Sequence, residues 1–134
     1  MKILKPGFLI LILLPLILIN CNEFEDGPYL SLRSKESRAC KQWSYEYIMD
    51  LETGQLYTSM YEGWILDLNN NGEYTKTIVY LDSLSTEKGT WEFDGRSHIR
   101  FHYNDYMTKF KILRLSNDEF WLQSNQEEIH LKIF

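Results

Sequence analysis

The sequence predicts an all-β domain, an eight-stranded antiparallel up-and-down barrel. Three observations lead there. Eight short segments after residue 40 alternate apolar and polar side chains with a period of two, the period of a strand with one buried face. Turn-forming clusters separate several of them, notably Asn69-Asn70-Asn71-Gly72, Asp94-Gly95, Asn104-Asp105 and Ser116-Asn117-Asp118. No stretch of ten or more residues carries a helical stripe. Short strands with short links suit a closed barrel, because closure removes exposed edges and leaves room for a packed interior or one small ligand. A two-sheet sandwich is the competing architecture.

The strands follow in order. Residues 43–50 form the first, with Trp43, Tyr45 and Tyr47 on one face and Ser44, Glu46 and Ile48 on the other. Residues 51–61 hold Thr53-Gly54 and no firm period, and read mostly as loop. Residues 63–68 and 73–80 are the second and third strands, and residues 82–88 are a polar loop. The organising stretch is Gly89-Thr90-Trp91-Glu92-Phe93-Asp94-Gly95. Trp91 and Phe93 point one way, Thr90, Glu92 and Asp94 the other, and Asp94-Gly95 turns the chain into residues 98–103. Residues 108–115 place Phe110 and Ile112 opposite Lys111 and Leu113. Residues 119–123 and 128–133 complete the set, the last with Ile129, Leu131 and Ile133 alternating against Glu128, His130 and Lys132. Trp43, Trp64, Trp91 and Trp121 are the expected core tryptophans. Residues 27–41 read as a lead-in, with Tyr29 and Leu32 laid over the barrel end.

The chain of 134 residues, 44% hydrophobic and 15% aromatic, is the size of one domain with a real core. Its formal net charge of -5 argues against nucleic-acid binding, which needs a basic face. The N-terminus has the build of an export signal. Lys2 and Lys5 precede an apolar run of 12 residues, 8–19, interrupted by Pro15 and too short to span a bilayer. Leu18-Ile19-Asn20-Cys21 then resembles a bacterial lipobox, although Asn20 stands where Gly, Ala or Ser is usual. That resemblance implies cleavage before Cys21, acylation of its thiol and of the new amino terminus, and stable membrane attachment through two or three chains. The acids in Asn22-Glu23-Phe24-Glu25-Asp26 suit a solvated tether. They also resemble the surface-export signal of Bacteroidetes lipoproteins, and Asn22 offers no inner-membrane retention cue. The expected organisation is a cleaved lipoprotein signal peptide over residues 1–20, a lipid-anchored tether and lead-in over 21–39, and the barrel domain over 40–134. The expected location is the outer membrane, lipid-anchored and open to surface exposure.

Several motifs together resemble the lipocalin-like domains of Bacteroidetes lipoproteins. They are Trp43, Tyr61-Glu62-Gly63-Trp64, the stretch from Leu68 through Asn71-Gly72 to Tyr74, and Gly89-Thr90-Trp91. The Ile112-Leu113-Arg114-Leu115 and Phe120-Trp121-Leu122 pair completes the pattern. The resemblance covers about residues 40–134 and implies a lipocalin-like barrel on a lipid anchor. It implies no settled ligand or reaction and carries over no site residue.

The residue patterns of catalysis are missing. Asp67 to Glu73 fits the first half of a calcium loop, but Ile78 falls where the bidentate Glu belongs, so a hairpin turn is expected. His98 and His102 share a strand face about 13 Å apart, too far for one metal, and they and His130 are expected as outward surface histidines. Adjacent acids such as Glu127-Glu128 face opposite ways on a strand. With Cys21 acylated, Cys40 has no intrachain partner and reads as a half-buried small residue. Neither a cofactor nor a catalytic residue is expected. The convergence of His98, His102, His130, Glu92 or Asp94 in a pocket would overturn that reading. Two functions stay open: a small apolar or amphiphilic ligand held in the barrel, or an envelope protein partner bound by its outer surface.

Overall fold

The computed structural model describes residues 32–134. Cys21, the leader and Tyr29 lie outside them, and with them the expectations of cleavage and acylation. The elements are helix α1 (Lys35–Ala39) and strands β1 (Gln42–Asp50), β2 (Leu56–Tyr57), β3 (Ile65–Leu68), β4 (Glu73–Tyr80), β5 (Ser83–Asp94), β6 (His98–Tyr103), β7 (Tyr106–Leu115), β8 (Glu119–Gln123) and β9 (Glu127–Ile133). A single 3-10 turn, Ser59–Tyr61, links β2 to β3. All pairings are antiparallel. The strand order is β2-β1-β3-β4-β5-β6-β7-β8-β9, and β1 also pairs with β9. That last ladder closes eight strands into a barrel and leaves β2 as a two-residue ribbon on β1. The eight-stranded antiparallel barrel is therefore the fold.

Three readings of the sequence change. Of residues 82–88, expected as loop, 83–88 are strand: Tyr80 pairs with Ser83 and the ladder runs on to Glu73 with Thr90, so β5 is 12 residues long. The turn is Leu81-Asp82, both at positive φ, a two-residue hairpin that polar composition alone disguised. Within residues 51–61, a short piece pairs as β2. Leu32 is fully exposed instead of covering the barrel end, which is covered by α1. Its N-cap is Ser34, whose side chain accepts a bond from the Ser37 amide at 3.1 Å.

Two bulges set which side chains enter the barrel. In β1 the register slips at Glu46: Tyr45 faces Leu131, whereas Tyr47 faces His130 and Ile48 faces Ile129. Trp43, Tyr45 and Ile48 therefore point inward, and Tyr47 points out, against the simple alternation. In β7 the slip falls at Leu113, so Ile112 and Leu115 both reach the core. Trp121 also departs from expectation. On β8 the interior belongs to Phe120 and Leu122, and period two sends Trp121 outward. There its ring tilts against His130 at 4.3 Å, and the Arg114 guanidinium lies 5.3 Å from its centre. Trp43 and Trp91 are buried as expected, and Trp64 is half-buried.

The two barrel ends differ. At the α1 end, Trp43, Leu68, Ile99, Leu115, Phe120 and Leu131 are all but inaccessible. Each such side chain contributes about 1.5–3 kcal/mol of apolar burial. The helix is tied to this plug. The Trp43 indole donates to the Ala39 carbonyl at 2.9 Å, and Arg38 donates to the Leu115 carbonyl at 2.6 Å. Lys35 donates to the Gly95 carbonyl at 2.7 Å and lies over the Phe93 ring. The hairpin after β3 closes this end, with Gly72 at φ 84 and the Asn71 side chain bonded to Glu73. Residues 69–72 thus form the expected hairpin turn between β3 and β4. Among the described residues no α-helix covers the opposite end, where the 3-10 turn Ser59–Tyr61 contributes Tyr61 to the wall of an open cavity.

Candidate functional site

The inward alternation of the strands builds a cavity of about 400 Å³ in the open half of the barrel. β1 supplies Tyr45 and Ile48, and the segment before β3 supplies Tyr61 and Trp64. Phe101 and Tyr103 come from β6, Tyr106 and Phe110 from β7, Leu122 from β8 and Ile129 from β9. An apolar pocket of this size, with a few polar groups, is the usual form of a small-molecule site.

The aromatic wall is ordered by ring packing. Tyr45 stacks with Tyr61 at 6.0 Å and meets Trp64 edge-on at 5.7 Å, while Tyr61 and Trp64 meet at 4.8 Å. The Trp64 indole donates to the Val79 carbonyl at 3.0 Å, which fixes the ring. On the other side Tyr74 meets Phe101 edge-on at 5.3 Å. Burial raises the Tyr45 and Tyr61 phenols above their ordinary range, so both stay neutral.

Three charged groups share this lumen, and the sequence reading missed their convergence. Lys76 alternates with Tyr74 on β4 and so faces inward, and Glu87 lies opposite it on β5. The two pair at 3.3 Å, and the Tyr74 hydroxyl donates to Glu87 at 2.7 Å. Burial, then this bond to a carboxylate, pushes the Tyr74 phenol up. Glu127 is the third group. Its backbone is bonded to Ser124 in the β8–β9 turn, with the amide at 3.1 Å from the Ser124 hydroxyl. Its carboxyl is raised by burial against a smaller opposing pull from Lys76. The inward face of residues 73–80 was legible as a signal for Lys76, since Tyr74, Lys76 and Ile78 share it. Glu87 was hidden because its segment read as loop.

A second depression of about 460 Å³ adjoins the first and shares Ile48, Tyr61 and Glu127 with it. Asp50, Glu52 and Tyr57 line it, with Asn125 and Gln126 from the β8–β9 turn. The Asp50 carboxylate accepts from the Thr53 amide at 2.8 Å, and that bond leads the causes that hold its pKa low.

The histidines and acids singled out in the sequence do not gather in this cavity. Glu92 and Asp94 point out from β5 and meet Arg100 at 3.5 and 2.8 Å; Glu92 also lies 3.5 Å from His102. His98 contacts the neighbouring Ser97 hydroxyl. His130 is buried instead of exposed, but on the outer face: its ring stacks on Tyr47 at 4.2 Å and bonds Glu128 at 2.5 Å. Glu127 and Glu128 face opposite ways, as the alternation required. Among the described residues no group of three or more His, Cys, Asp or Glu side chains is placed to hold a metal. Cys40 is half-buried, and desolvation pushes its thiol up, away from the reactive thiolate.

No protein-family model and no curated protein matches this chain. Solved structures do. A lipocalin-like protein from Bacteroides uniformis superposes with a TM-score of 0.64 at 15% identity, over 72% of this chain and 99% of the other. An uncharacterized protein from Bacteroides eggerthii superposes with a TM-score of 0.61 at 8% identity, over 70% and 98%. At such identities the likeness speaks for the fold alone, and the barrel closure of β1 on β9 agrees with it: this chain folds as a lipocalin-like, eight-stranded antiparallel β-barrel.

Proposed function

We propose that this protein is a non-catalytic lipoprotein, anchored through Cys21 to the bacterial outer membrane, whose barrel binds a small apolar or amphiphilic ligand. The single observation that carries the binding reading is the 400 Å³ cavity walled by aromatic and aliphatic side chains. The anchor rests on the Lys2 and Lys5 flank, the apolar run and Cys21 in the sequence. Trp64, in the cavity wall, provides the test. Titration of an alkyl-chain probe should change tryptophan emission saturably, and Trp64→Phe should remove most of the change. Absence of any saturable binding would falsify the reading.

A second reading has its own observation. The open end is ringed by exposed apolar side chains: Leu81 and Leu84 on the β4–β5 hairpin, Tyr106 and Met107 on β7, and Leu56 and Met60 before β3. Such clustering also suits contact with an envelope protein. A gentle membrane pull-down that retains a partner with the unaltered chain and loses it with Leu81→Asp and Leu84→Asp supports this reading; identical recoveries reject it.

A further inference from the structure

The charges around the cavity are unequal, and the inequality specifies a ligand chemistry. Among the described residues Lys76 is the one basic side chain lining the lumen, and it is already paired with Glu87, which also accepts from the Tyr74 hydroxyl. Glu127 stands outside that pair: its hydrogen bonds to Ser124 are made by its backbone, and its carboxyl feels Lys76 only as a pull weaker than its own burial. The adjoining depression, which shares Glu127, adds Asp50 and Glu52 and, among the described residues, no basic one. Together the two spaces set one lysine against four carboxylates.

The wall beside Glu127 has a second property. Tyr45, Tyr61 and Trp64 form a cluster of mutually packed rings on the lumen. Ring faces carry negative potential and attract ammonium groups, most strongly where water is scarce. A buried or half-buried carboxylate disfavours its charged form unless an opposite charge approaches. A cationic ligand head would relieve that cost, while an anionic one would add to it.

We propose that the barrel selects a cationic amphiphile, its ammonium head at Glu127 against the Tyr45 and Tyr61 rings, clear of Trp64, whose ring already lies 5.9 Å from the Lys76 ammonium, and its apolar body in the lumen. This rests on the cavity-binding reading above and names the ligand class within it. An acyl carboxylate is disfavoured by Glu127 and finds Lys76 already engaged.

The experiment uses residues 22–134, which contain the whole closed barrel. Calorimetric titrations near neutral pH compare decyltrimethylammonium, decanol and decanoate, each below its micellar concentration. The cation is expected to bind most tightly and decanoate least. Glu127→Gln, which keeps the side chain's shape, should weaken the cation about tenfold, as for loss of one charge-assisted contact. Decanol should bind the variant as it binds the unaltered chain, which also reports that the variant is folded. Equal affinities for the three probes, or tighter binding of decanoate, overturn the charge assignment and leave the cavity reading standing. So does unchanged cation binding by Glu127→Gln. If none of the probes binds, both readings fall.

Discussion

Gly89 tests whether close approach, and not only alternation, shapes the barrel. It faces Tyr74 across the β4–β5 ladder, next to the pairing of Thr90 with His102 on β6. A methyl group placed on Gly89 would collide with the His102 carbonyl and lie 2.7 Å from Tyr74 Cε1. The carbonyl belongs to a ladder strand and cannot retreat without disturbing β5–β6. The Tyr74 ring can shift only by straining its bond to Glu87, 2.7 Å long. Overpacking of this kind costs about 1–3 kcal/mol. Weakening a bond to a charged acceptor adds about 1–2 kcal/mol. Alanine returns about 0.4–1 kcal/mol by restricting the unfolded chain. The expected net loss for Gly89→Ala is about 2–3 kcal/mol, or about 10–20 °C in Tm for a domain of this size. Thermal and urea unfolding followed by tryptophan fluorescence measure it. Gly95→Ala is the comparison: it adds a methyl group where nothing lies within 4 Å, at φ 69. Its cost is only that of the left-handed backbone, about 1 kcal/mol. Gly89→Ala with a Tm equal to or above the unaltered chain's, or a loss no greater than that of Gly95→Ala, would refute the packing argument.

Other substitutions probe other parts. Trp43→Ala should cost about 3–5 kcal/mol in urea unfolding, because it empties the plug under α1 and removes the bond to the Ala39 carbonyl; a loss below about 1 kcal/mol contradicts that role. Arg38→Ala should cost about 1.5–3 kcal/mol, since the buried guanidinium ties α1 to the Leu115 carbonyl; unchanged urea midpoints would show that the tie is not structural. Glu127 gives a pH dependence. Its folded pKa lies above the ordinary 4.5, so its charged form is a burden on the folded state at neutral pH. Glu127→Gln should therefore stabilise the apo barrel near pH 7, and the advantage should shrink as pH falls through the folded pKa and vanish below the unfolded one. A stability difference that is flat across that window argues against the desolvated carboxylate. Finally, Cys21→Ser should release the chain from the membrane fraction; unchanged partition in cell fractionation rules out the lipid anchor.

Much of the barrel was legible without coordinates, because strand alternation and hairpin chemistry are local. Trp91 and Phe93 inward, Glu92 and Asp94 outward, and the turns at Gly72 and Gly95 follow from residues a few positions apart. The expectation of closure came from the number and shortness of the segments, whereas the β1–β9 ladder that achieves it joins strands from opposite ends of the barrel. What was not legible depends on such distant partners. The slips at Glu46 and Leu113 are fixed by what faces them on β9 and β8, and they decide that Ile48 enters the lumen while Tyr47 leaves it. Trp121 lost the interior to Phe120, a competition that hydrophobicity alone does not resolve. Residues 83–88 look like loop because their inward positions, Ser83, Ser85 and Glu87, are polar, and only pairing with β4 makes them strand. The candidate site is the extreme case: Lys76, Glu87 and Glu127 come from β4, β5 and β9, and sequence distance hides which of them pair. Sequence therefore determines the period and the turns, which are properties of neighbours. Register, and with it the charge that remains uncompensated inside the barrel, is a property of the closed sheet.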